Sequence, residues 1–152
     1  MKNTQVKEQL FIKCKAHVQK RREAVQSILD SVAISLQEET KSSAGDKHET
    51  GRAMLQLERE NAGKQLAQIE QLERIAHRID PKITSGPAHL GSVIETTAAN
   101  YYLSIPAGEI TVGTTSFYAV GVGSPIGQLL LGKKEGDVIR FRESEYTITT
   151  IY

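Results

Sequence analysis

From Gln5 to Glu39 the chain contains neither glycine nor proline, and its apolar residues return at helical spacing. Phe11, Val18, Val25 and Val32 share one heptad position; Cys14 and Ile28 share the other, which Arg21 and Ser35 interrupt. A second run, from about Thr50 to Ile79, repeats the pattern through Leu55, Ala62, Ile69, Leu72, Ala76 and Ile79. Each stripe is too narrow to enclose a core, so the two helices are expected to pack on each other along the seam. Between them lies Lys41-Ser42-Ser43-Ala44-Gly45, short and turn-forming, which makes the helices antiparallel neighbours. A helix of about 30 residues is about 45 Å long, so the turn end of the hairpin is expected to project.

The second half is a different regime. It holds all five tyrosines, two of the three phenylalanines and most of the glycines, and the change falls near Asp80-Pro81. We therefore expect an α+β chain: residues 1–80 as an antiparallel coiled-coil hairpin, and 81–152 as a small β-rich domain with one short helix. Strands are expected at Gly91–Thr97, Asn100–Ile105, Glu109–Val112, Ser116–Val122 (short, or a bulged edge), Val138–Arg142 and Tyr146–Ile151, the last two flanking a turn at Glu143-Ser144-Glu145. Ser124 is placed to cap a helix that Pro125 opens, that Leu129-Leu130-Leu131 packs on the sheet and that Gly132 ends.

Net charge is +1, which argues against nonspecific coating of duplex nucleic acid. Cys14 is the single cysteine, so an internal disulfide and a cysteine-rich zinc site are both excluded. The polar N-terminus is unlike a signal peptide, and no stretch approaches the roughly 20 apolar residues of a membrane span. A cytoplasmic, reducing location is the expectation.

At the turn end, Asp46-Lys47-His48-Glu49 has the spacing of a capping box, with Asp46 accepting from the Glu49 amide and Glu49 reaching back. His48 lacks the partner spacing of a metal site, and His17 and His77 fall at surface or flank positions. Cys14 is read as a seam residue. In the second half no nucleophile, base and orienting group come together, so Ser124 is read as a cap and the domain as a docking scaffold.

The segment Ser124-Pro-Ile-Gly-Gln-Leu-Leu-Leu-Gly-Lys-Lys-Glu-Gly-Asp137 resembles the C-terminal signature of the Gre transcript-cleavage factors, in which a Ser-Pro pair, a Leu-rich helix, Gly-Lys and a later Gly-Asp precede a closing hairpin. Gly45-Asp46-x-x-Glu49 likewise matches that family's hairpin tip, so the resemblance spans nearly the whole chain. It implies an FKBP-like C-terminal domain that docks on bacterial RNA polymerase and a coiled coil that enters the secondary channel. Carried over by position, Asp46 and Glu49 would be carboxylates lent to the polymerase active site, where they share a Mg²⁺ ion and assist cleavage of backtracked RNA. Ser124, Pro125, Gly132, Lys133, Gly136 and Asp137 would belong to the partner-binding region. The chain itself is then no enzyme, holds no tightly bound cofactor, contacts no membrane and acts as a monomer.

Two other readings stay open. Lys47, and His48 when protonated, place positive charge between the carboxylates, which opposes a divalent cation and fits a channel-binding regulator that does not stimulate cleavage. A structural protein whose coiled coil pairs with some other partner would need neither carboxylate.

Overall fold

The computed structural model describes residues 2–41 and 45–152; the side chains of 41 and 45–48 are outside that description. Two helices, α1 (Lys2–Lys41) and α2 (Gly45–His77), precede a six-stranded mixed sheet of β1 (Val93–Thr96), β2 (Asn100–Ser104), β3 (Gly108–Val112), β4 (Thr115–Gly121), β5 (Val138–Phe141) and β6 (Ser144–Ile151), with α3 (Pro125–Leu130) between β4 and β5. The chain groups into two compact units, one of Val18–Leu72 and one of Met1–His17 with Glu73–Tyr152.

The first of these is the helical hairpin. Val18, Val25 and Val32 are buried in α1 and Ala62 and Ile69 in α2, as the stripes require. Ile28 departs from expectation, being exposed, while Leu29 and Leu36 are half-buried. Val18, Val25 and Val32 hold the seven-residue spacing, and the other seam position falls four residues beyond Val25 and Val32, at Leu29 and Leu36, which leaves Ile28 on the flank. The antiparallel pairing holds at the turn end, where Arg52 Nη1 donates to Thr40 Oγ1 at 2.8 Å. Gly51 leaves room there: a Cβ would lie 3.0 Å from Glu39 Oε1.

In the second unit the strands run in the order β3-β4-β2-β1-β6-β5, with β2 and β4 parallel and every other pair antiparallel. β4 is thus an interior strand, where a bulged edge was one of the sequence-based options. The link from β1 to β2, at Ala98-Ala99, is a Thr turn: Thr96 Oγ1 donates to the Ala99 carbonyl and accepts from the Ala98 and Ala99 amides. The β5–β6 turn starts one residue earlier than the expected Glu143–Glu145 and is one residue shorter. Phe141 pairs with Ser144, so Arg142 and Glu143 are its two central residues, at φ 52° and 67°. Both φ values are those of a type I′ turn, which normally advertises itself by Asn or Gly; neither stands here.

Tyr102 and Leu103 are adjacent in β2, point to opposite faces, and are both fully buried. Both faces of the sheet centre are therefore covered. One carries Ile94, Leu103, Ile139 and Ile148 under Ile126 and Leu130 of α3. Against the other stand the first turns of α1: Cys14 is close enough to Tyr102 and Ser104 to interact electrostatically, and Lys13 Nζ donates to the Thr111 carbonyl at 2.6 Å. Here α1 needs a wider apolar face than a two-helix seam. Leu10 and Lys7 are fully buried beside Cys14.

Candidate functional site

The two sequence motifs are realised by local geometry that differs in kind. At the turn end, α2 begins at Gly45, and Asp46 lies in its first turn. The backbone sets Asp46 and Glu49 three residues apart, which on a helix places them on one face. A first-turn position also suits carboxylates, because the free amides and the helix dipole favour negative charge there. Glu49 is exposed. The side chains of Asp46, Lys47 and His48 lie outside the described residues, and with them the expected capping box. Among the described residues no group of three or more His, Cys, Asp or Glu side chains could hold a metal ion.

The Ser124–Asp137 motif is described in full, and its polar atoms turn inward. Ser124 caps α3: its Oγ accepts from the Gly127 amide at 3.1 Å and donates to the Gly121 carbonyl at 2.7 Å. Pro125 opens the helix, where its missing N–H costs nothing. Gly127 is dictated by space, since a Cβ would lie 1.9 Å from the Gly121 carbonyl oxygen. Gly132, at φ 82°, ends the helix and donates its N–H to the Ala88 carbonyl at 2.7 Å, while Lys133 accepts from the Ala88 amide at 2.8 Å. Gly136 and Asp137 exchange backbone bonds with Ile148, and Asp137 Oδ2 accepts from the Lys134 amide at 2.9 Å. Exposed within the motif are Pro125, Gln128, Leu131, Gly132, Lys134, Glu135 and Gly136, with Val138 following.

Three features escaped the sequence. Lys7 is fully buried with its ammonium donating to the Ile83 carbonyl; burial lowers its pKa from 10.5 to about 8, with the Asp80 carboxylate opposing that fall. Cys14 belongs to the α1–sheet contact rather than to the helical seam, and burial raises its thiol to about 11 against a smaller opposing effect of the Ser104 hydroxyl. Burial likewise raises Tyr102, and Tyr102 Oη and Ser104 Oγ make no hydrogen bond of ordinary geometry. The third is a cleft of ≈ 570 Å³ between the start of α1 and the sheet, lined among others by Lys2, Val6, Glu95, Asn100, Phe117 and Thr150. Tyr152 Oη donates to Glu95 Oε2 at 3.2 Å within it, and burial together with the Glu95 carboxylate raises the Tyr152 pKa. None of these has a local sequence signature, because each depends on which residues the topology brings together.

No protein-family model matches the chain, and no curated protein matches it. Among solved structures, one titled "Structure of the transcription factor Gfh1" aligns over 93% of this chain and 92% of that one, at 20% identity and a TM-score of 0.35. At that score the likeness identifies neither fold nor function. None of the described helices is long and apolar enough to cross a membrane.

Proposed function

We propose that this chain is a Gre-type transcription factor whose C-terminal domain, residues 81–152 and FKBP-like in fold, docks on RNA polymerase while the hairpin of residues 1–80 enters the secondary channel. The observation that carries this reading is the pairing, in one chain, of a long antiparallel hairpin bearing Gly45-Asp-x-x-Glu49 with a sheet domain bearing the complete Ser124–Asp137 motif. The inward use of Ser124, Gly127, Gly132 and Asp137 gives that motif a physical reason. It fixes α3 against β4 and the loop before β5, and leaves Pro125, Gln128 and Leu131 as the surface a partner would meet.

In this reading Asp46 and Glu49 are lent to the polymerase. Two carboxylates one turn apart suit part of the oxygen shell of Mg²⁺, which takes about six ligands and retains several waters. Two side chains cannot complete that shell, so the fit is to an ion shared with the partner. Bound there, the metal would stabilise charge on the oxygens exchanged at phosphorus. The residues of this chain position it; the polymerase is the enzyme.

The test is RNA cleavage by stalled, backtracked elongation complexes with the wild-type chain, Asp46→Ala and Glu49→Ala. Stimulation by the wild type that each substitution lowers at least about tenfold, a loss of about 1.4 kcal/mol, is expected. Stimulation that survives both removes the proposed roles. Lys47, with His48 when protonated, puts positive charge between the carboxylates in sequence and favours one alternative: a factor that binds the channel and inhibits without stimulating cleavage. Polymerase binding without stimulation would select it.

A further inference from the structure

The cleft beside Glu95 has no part in the function proposed above, and its chemistry is specific. Asn100, Glu95 and Thr150 are direct cross-strand neighbours on β2, β1 and β6, so three polar side chains stand in a row on one face of a rigid sheet. Glu95 is oriented by the Tyr152 hydroxyl on Oε2, and no described cation pairs with it. Lys2 stands on the helix side of the same cleft without pairing to Glu95, and Val6 and Phe117 supply apolar surface between. The ≈ 570 Å³ volume lies within the range that small-molecule sites occupy.

Each single-charge ligand class meets an obstacle in this arrangement. An anion would face the Glu95 carboxylate, a cation would face the Lys2 ammonium, and a neutral apolar molecule would strip water from both charges without replacing it. A molecule carrying both charges satisfies both walls. We propose that the cleft binds a small zwitterion, an amino acid or short peptide, with its ammonium on Glu95 and its carboxylate toward Lys2. Asn100 and Thr150 offer hydrogen bonds to the groups between, and Phe117 and Val6 take an apolar side chain.

The experiment is an amide NMR titration of the full chain with the dipeptide alanyl-leucine, its N-acetylated form and its C-amidated form. Saturable shifts at Glu95, Asn100 and Thr150 are expected with the free dipeptide, weakened at least about tenfold by either block. Glu95→Gln keeps an oxygen for Tyr152, and Lys2→Ala changes an exposed residue, so both variants should fold; each should weaken binding to a similar degree. No saturable shift up to about 10 mM, or binding indifferent to both blocks and both substitutions, would overturn the proposal. Polymerase plays no part in this titration, so its outcome is separate from that of the transcription assays.

Discussion

A methyl group added at Gly127 would lie 1.9 Å from the Gly121 carbonyl oxygen, a backbone atom that α3 and β4 hold in place. Glycine to alanine within a helix ordinarily gains up to about 1 kcal/mol, so helix propensity and sterics pull in opposite directions here. Sterics win, because no side chain can rotate away. Gly127→Ala should lose about 3 kcal/mol, the upper end of overpacking costs, read as a lower urea midpoint. Lys7 poses the electrostatic counterpart. Its folded pKa of about 8 lies below the 10.5 of the free side chain, so between those values the unfolded chain binds more protons and stability rises with pH. Each pH unit in that window contributes at most about 1.4 kcal/mol. Cys14 acts in the opposite sense between 9.0 and about 11, where the folded chain holds the extra proton and stability falls. Unfolding of the wild type and Lys7→Met compared from about pH 7 to pH 9 should therefore show a Lys7-dependent rise that the variant lacks. Parallel curves would mean that the ammonium is not desolvated as its burial implies.

At the scale of elements, the β5–β6 hairpin carries strain in Arg142 and Glu143, both at positive φ. An L-residue with a Cβ there costs about 1–2 kcal/mol, so Arg142→Asn combined with Glu143→Gly should stabilise the chain by about 1 kcal/mol, seen as a higher melting temperature. The same residues explain why that turn was misplaced from sequence: Arg-Glu carries no turn signal, whereas Glu-Ser-Glu is merely polar. Elements whose chemistry is local were legible. The apolar stripes marked both helices, and Ser124, Pro125 and Gly132 marked the start and end of α3. Legibility failed where an element serves two environments. The start of α1 reads as a seam helix, yet it buries Lys7, Leu10 and Cys14 because it also faces a sheet whose order heptad spacing does not encode. The Glu95 cleft was invisible for the same reason, since its walls come from α1 and from β1, β2, β3, β4 and β6.

At the scale of the whole molecule, both units present a motif whose significance depends on the other. A first-turn Asp-x-x-Glu on a long helix is ordinary, and a Ser-Pro helix packed on a sheet is ordinary; their union in one chain is what supports a polymerase factor. The most direct measurement is a photocrosslink from position 47, which lies between Asp46 and Glu49 in the sequence, in the full chain mixed with core RNA polymerase. The chain should bind, and the crosslinks should map to residues lining the polymerase secondary channel. Failure to bind, or crosslinks confined to the outer surface of the enzyme, would contradict the assignment.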